Sequence, residues 1–199
     1  MRLFYHAGTC ALAPHIILQE GGFEGYRLEE VDQNHRWSGG DFLEVNPKGY
    51  IPALELDDGQ VLTEGAAILQ HLGDIAPTRG LIDAPGSIWR ARQVELLTFT
   101  ATELHKTFPA LWRMETPTAE RIAALELLRR RIGHVEQGLD GREYLVRDRF
   151  SVADAYLFTV LRWSSRIDLD LKEWPRVAAY VKRVGARPLV ARAVSREEG

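Results

Sequence analysis

Residues 3–18 read Leu3-Phe4-Tyr5-His6-Ala7-Gly8-Thr9-Cys10-Ala11-Leu12-Ala13-Pro14-His15-Ile16-Ile17-Leu18. Leu3 to Tyr5 is short, apolar and aromatic, the signature of a buried strand. Gly8 breaks the pattern. Pro14 suits the first turn of a helix, where a missing N–H breaks no bond. Ile16 to Leu18 continue the apolar run, and Gly21-Gly22 supply a stop. The unit is strand, loop, helix, and the loop carries Cys10, the chain's one cysteine. A sulfur at a helix N-terminus faces unpaired N–H groups and the positive end of the dipole. Both favour thiolate, so the expected pKa of Cys10 lies below about 8.5. The same geometry would hold the thiolate of a bound ligand. Position alone leaves a second role open, a small buried hydrophobe with no chemistry. Tyr5 likewise reads as a core aromatic or as a catalytic phenol.

Composition narrows the classes. The 199 residues suffice for one domain or two small ones. Hydrophobic residues at 45% and charged residues at 27% describe an ordinary globular chain. A net charge of −3 argues against nucleic acid or an anionic membrane as partner. One cysteine closes no intramolecular disulfide, which fits a reducing, cytoplasmic setting. The N-terminal apolar run is broken by His6, Gly8, Pro14 and His15 and makes a poor signal peptide. No window reaches transmembrane length. The histidines are scattered without a cysteine partner, so no metal is expected.

Outward from the opening unit, Tyr26 to Val31 partly alternates and reads as a second strand. Asp32 to Asp41 is polar and reads as a loop; it holds the local cation pair His35-Arg36. Asp41 to Val45 fits a single helical turn, closed by Asn46-Pro47. Pro52 opens a third strand, Ala53 to Leu56, at a position proline tolerates. Asp58-Gly59 is a hairpin signal, and Gln60 to Thr63 is the return strand. A helix then runs to about Ile75, with Thr63 or a neighbour as cap and Glu64 in its first turn, where a carboxylate is favoured. The order β-α-β, turn, β-β-α resembles the thioredoxin arrangement.

Residues 77–86 hold two prolines and two glycines and form the linker. Beyond them the period becomes helical and stays so. A long helix from Ser87, its N-cap, to about Phe108 carries Glu95, Thr98, Thr102 and His105 on one stripe. Such a stripe faces water or lines a polar cleft. His105-Lys106 also suits a helix C-terminus. Thr118 to Leu139 is another helix, with Arg129-Arg130-Arg131 on a solvated face. Ser151 and Asp154 form a capping box for the next one. Trp174-Pro175 and Arg187-Pro188 open two more, and Trp163, Trp174 and Tyr180 read as core or cleft aromatics. The fold is an α/β N-terminal domain over 1–76, the linker, and an all-α helical bundle over 87–199.

Five segments together resemble the bacterial, beta-class glutathione S-transferases. They are Leu3-Phe4-Tyr5 with Gly8-x-Cys10, Val45-Asn46-Pro47-Lys48-Gly49-x-Ile51-Pro52-Ala53-Leu54, Leu62-Thr63-Glu64-Gly65-x-Ala67-Ile68, Ala101 to Lys106, and Phe150 to Phe158. The resemblance spans essentially the whole chain. It implies a thioredoxin-like domain, a helical domain, a homodimer, and glutathione as co-substrate in a site between domains. It implies a cis Pro52, with the Ile51 backbone pairing the cysteinyl part of glutathione like an added strand. Glu64 and Gly65 would hold the γ-glutamyl carboxylate, and Arg36 or His35 the glycyl one. Cys10 and His105 would be catalytic, with Lys106, Thr98 and Glu103 also near glutathione. Family members often carry Ser where Ala11 stands, so a serine-activated thiolate is excluded at that position. The implied reaction is transfer of the glutathione thiolate to an electrophile, with disulfide exchange through Cys10 as a further activity. His105 would donate a hydrogen bond to the sulfur or act as acid–base. A fold-retaining binder without catalysis is the reading from another class.

Overall fold

A computed structural model describes residues 1–198 of the chain, so the last residue assigned to the helical domain lies outside it. Strand β1 (Arg2–Tyr5) leads through the Cys10 loop into helix α1 (Leu12–Glu20), and β2 (Arg27–Glu30) returns parallel to β1. Strand β5 (Ala53–Glu55) runs antiparallel on the other side of β1, and β6 (Val61–Thr63) pairs with β5. The sheet order is β2-β1-β5-β6. This is the expected thioredoxin-like order, ending in α3 (Gly65–Asp74).

Strand alternation divides the core in two. Leu3 and Leu54 face the large cluster that includes α1, α3 and the helical domain. Phe4 and Ala53 point the other way, against Val31 and Phe42. The loop expected over Asp32 to Asp41 folds back on this second face. It forms a small hairpin, β3 (Arg36–Trp37) with β4 (Gly40–Asp41), before the short helix α2 (Phe42–Val45). Trp37 anchors it, edge-on to Phe4 with ring centroids 5.1 Å apart and under the Arg2 guanidinium at 4.6 Å.

After a single 3-10 turn at Pro77–Arg79, the remaining elements are helical. They are α4 (Ile88–Phe99), α5 (Phe108–Trp112), α6 (Thr118–Gly138), α7 (Val152–Arg162), α8 (Pro175–Gly185) and α9 (Pro188–Glu198). Ser87 caps α4 as expected, accepting from the Arg90 N–H at 3.1 Å. The helix expected to run unbroken to Phe108 does not. Thr100–Leu104 widens to π geometry and His105–Thr107 tightens to 3-10. Thr102 and Thr107 donate their hydroxyls to the carbonyls of Thr98 and Glu103, at 3.0 and 2.8 Å. Such back-bonding competes with regular helix. Widening rotates all that follows about the axis, so the expected stripe is split. Glu95, Thr98 and Thr102 stay exposed, while His105 turns inward.

Helix α1 joins the two halves. It is buried from Leu12 through Leu18 and packs on α3, α7 and α9. His15 on α1 contacts Glu197 on α9 at 3.0 Å, and Arg187 forks onto Glu20 at 2.8 and 2.9 Å. Helix α7 is wholly buried up to Leu161. Its capping box is present: the Asp154 carboxylate accepts the Ser151 N–H at 2.9 Å and its hydroxyl at 2.7 Å. Tyr180 of α8 donates a third bond to the same carboxylate at 3.0 Å.

Tyr180→Phe removes that third bond and leaves a buried acceptor short of a donor. We expect a loss of about 1–2 kcal/mol, seen as a drop of about 2–8 °C in thermal melting. Burial also pushes the Asp154 carboxyl up from 3.8 to about 6. The folded state therefore holds a proton that the unfolded chain releases earlier, and the Asp154 contribution to stability falls as pH rises from about 4 to about 6. Urea titrations across that window should show a flatter profile for Asp154→Asn.

Candidate active site

The loop after β1 is held from two directions. Thr9 donates its hydroxyl to the His6 carbonyl at 2.7 Å, closing the turn from within. Trp163, in the segment after α7, donates its indole N–H to the Gly8 carbonyl at 3.1 Å. Gly8 has φ +74°, and a Cβ there would collide with the Arg166 guanidinium. The loop thus needs glycine for its backbone and for the approach of that side chain.

Cys10 follows, and its Sγ donates to the Ile51 carbonyl at 3.6 Å. The Ile51–Pro52 peptide is cis, as the family resemblance implies. The expected low thiol pKa is not found: burial pushes Cys10 up to about 12, with the Glu64 charge adding to it. Opposing backbone donation and Lys106 are weaker. The dipole argument failed because desolvation of the half-buried sulfur outweighs the donation at the helix start. Helix α1 begins at Leu12, with Ala11 as its N-cap residue. Cys10 in the ligand-free protein is a neutral thiol.

Glu64 stands at the N-cap of α3 rather than in its first turn. Its φ of +68° is a conformation that few non-glycine residues adopt. Its carboxylate does not cap the helix; it meets Lys48 Nζ at 3.4 Å, and Lys48 also donates to Thr63 Oγ1 at 3.0 Å. Ala67 and Ile68 both donate to the Glu64 carbonyl, and the N–H groups of Gly65 and Ala66 precede them at the start of the helix. An uncapped N-terminus of this kind suits a carboxylate.

Across the crevice, His105 Nδ1 lies 2.8 Å from the Tyr156 hydroxyl, and its ring sits edge-on to Trp163 at 4.8 Å. Burial, with Lys106 second, pushes the His105 pKa down to about 4. The imidazole is neutral at physiological pH. A neutral imidazole has one N–H to donate and is not an imidazolium acid. Trp163 packs edge to face against both Phe108 and Trp112, whose rings are tilted on each other, and the three form an apolar wall beside it. Tyr5 is a half-buried phenol whose pKa is raised, by burial first and then by Glu30, so it supplies no phenolate.

The structure puts Cys10 against the Ile51 carbonyl, within electrostatic reach of Glu64 at the start of α3 and of Lys106, the neighbour of His105. It does not bring the other three there within one copy. Arg36 lies on β3, 3.7 Å from Asp41. Thr98 is exposed on α4, and Glu103 is ion-paired with Arg131 of α6. Three participants went unassigned in the sequence: Lys48, Tyr156 and the Trp163 bond to the loop. Lys48 and Tyr156 lay inside the quoted motifs, yet nothing in periodicity pairs them with Glu64 or His105. A cavity of about 630 Å³ adjoins the loop and is lined by Gly8, Thr9, Trp163 and the segment through Leu171.

Comparison with known proteins decides the family. Residues 8–75 match the glutathione S-transferase N-terminal domain, and residues 99–188 match the C-terminal domain. The chain belongs to the glutathione S-transferase family. It is 43% identical to glutathione S-transferase GstA of Escherichia coli O157:H7, over 99% of this chain and 98% of the relative. Among solved structures, a glutathione transferase from Methylococcus capsulatus strain Bath is 50% identical with a TM-score of 0.95, covering 99% of this chain and 98% of its own. A sphingomonad glutathione S-transferase in complex with glutathione is 38% identical, with a TM-score of 0.95 and coverage of 100% and 99%. Among the described residues no helix is long and apolar enough to cross a membrane.

A thiol held near pKa 12 is almost wholly un-ionised at pH 8. Iodoacetamide should therefore alkylate Cys10 of the ligand-free transferase at least about a hundredfold more slowly than free cysteine. Mass spectrometry of the modified peptide over time measures it.

Proposed function

We propose that this transferase binds glutathione along the Ile51 edge, ionises its thiol and passes the thiolate to small electrophiles. The observation that carries the reading is the convergence of the Cys10 thiol, the Ile51 backbone and the uncapped start of α3 opposite His105 and Lys106. In this reading the Ile51 backbone pairs with the cysteinyl unit as an added strand would. The N–H groups at Gly65 take the γ-glutamyl carboxylate, and the Glu64 carboxylate takes the neighbouring ammonium. Lys106 and the neutral His105 stabilise the thiolate, the first by charge and the second by an N–H bond. Each pKa unit by which they lower the glutathione thiol represents about 1.4 kcal/mol. Cys10, held as a thiol, donates to the glutathione sulfur; in disulfide exchange only its small ionised fraction attacks, releasing glutathione thiolate that takes up the lost proton. With no second cysteine, free glutathione must resolve the mixed disulfide.

We place the protein in the beta class, in the cytoplasm, acting in detoxification as a homodimer. The domain division at 1–76, 77–86 and 87–199 belongs to the same reading. Ile88 and Trp89 on α4 are 63% and 44% exposed, an apolar surface that a second copy would cover. Thr98 and Glu103 then belong to a site completed by that copy, and Arg36 is the candidate for the glycyl carboxylate.

Retention on glutathione resin, a glutathione-dependent rise in melting temperature and turnover of a chlorodinitrobenzene test the reading together. Absence of all three favours a non-catalytic binder. Glu64→Gln should raise the KM for glutathione about tenfold or more, by loss of a charge-assisted bond. Cys10→Ala should weaken disulfide exchange more than conjugation. Equal loss of both activities sinks that division of labour.

A further inference from the structure

Tyr156 sits on α7, in the wholly buried part of that helix, and is 4% exposed. Its hydroxyl has one hydrogen-bond partner among the described residues, Nδ1 of His105 at 2.8 Å. We propose that Tyr156 is a positioning residue: its hydroxyl donates to Nδ1, confines the imidazole proton to Nε2, and so aims an N–H into the crevice at the glutathione sulfur. The last step rests on the reading that His105 faces that sulfur.

The argument is one of proton count. A neutral imidazole carries one N–H, and a phenol carries one O–H. If Nδ1 held the proton, it would donate to the phenol oxygen, and the phenol proton would need a second acceptor. No such acceptor is present among the described residues. A buried donor left unmade is costly, so the phenol donates and Nδ1 accepts. The phenol keeps its proton under all ordinary conditions, because burial raises its pKa. The imidazole stays neutral because burial and Lys106 oppose its protonation. His105 Nε2 makes no protein hydrogen bond and is not one of the buried unpartnered atoms, so it faces open space. The ring itself is clamped, with Tyr156 edge-on at 6.1 Å and Trp163 at 4.8 Å.

The tautomer is read directly from ¹⁵N-histidine NMR of the ligand-free protein at neutral pH, with His105→Gln used to assign the signal. A protonated Nε2 and an unprotonated Nδ1 are expected; a protonated Nδ1 overturns the proposal. Kinetics test the consequence. Tyr156→Phe keeps the ring and removes the donor. It should lower kcat about tenfold, raise the apparent pKa in the pH profile of kcat/KM, and leave the KM for glutathione within about twofold. In a His105→Gln background the same substitution should have no further effect on kcat, since Tyr156 acts through His105. An equal loss in both backgrounds overturns the proposal. Should Tyr156→Phe fold poorly, the tautomer in the unmodified protein still decides it. A normal tautomer result in a protein that does not turn over glutathione would instead overturn the functional reading.

Discussion

The indole of Trp163 reaches from the helical half and holds the Gly8 carbonyl at 3.1 Å. That bond fixes the loop carrying Cys10 against the domain carrying His105. The same indole packs edge-on against His105, so one side chain sets both faces of the crevice. The placement survives because α1, the helix that follows the loop, is buried against α7 and α9 and cannot slide. Its ends are pinned as well: His15 to Glu197 within the interface and Glu20 to Arg187 at its edge. A site assembled from two domains demands such rigidity, since small displacements of reacting groups are costly in rate.

Burial governs the chemistry of both catalytic candidates, in opposite senses on the pKa scale. It raises the thiol of Cys10 and lowers the imidazole of His105, and each result is a neutral group. Cys10 and His105 therefore offer donors rather than formal charges. Charge is supplied from the rim by Lys106, Lys48 and the start of α3. Neutral donors near the anion and cations farther out favour a thiolate without trapping it in a tight ion pair. A thiolate so held remains nucleophilic, because a fully paired sulfur would lose reactivity as its pKa falls.

Much of the fold was legible because its signals are local. The apolar, aromatic run Leu3 to Tyr5, the Asp58-Gly59 turn and the Ser87 cap each depend on neighbours in sequence. The misreadings came where tertiary contact overrides a local rule. A polar run from Asp32 to Asp41 looks like open loop until Trp37 finds Phe4 and Arg2. A continuous apolar period after Ser87 looks like one helix until threonine hydroxyls take backbone carbonyls and widen it. Cys10 looked acidic because position relative to a helix is visible in sequence and depth of burial is not.

The widened turn and the buried tyrosine are parts of one arrangement. An uninterrupted helix would leave His105 on the exposed stripe with Glu95 and Thr98, far from any partner. The π segment at Thr100–Leu104 turns it inward, within 2.8 Å of Tyr156. Irregular helix of this sort weakens the local ladder and is found at functional positions for that reason. Stability lost there is offset on the neighbouring helix by the Ser151–Asp154–Tyr180 network, which anchors α7 and with it Tyr156. The capping box, less than two turns before Tyr156 on the same helix, thus anchors the residue proposed to orient the imidazole.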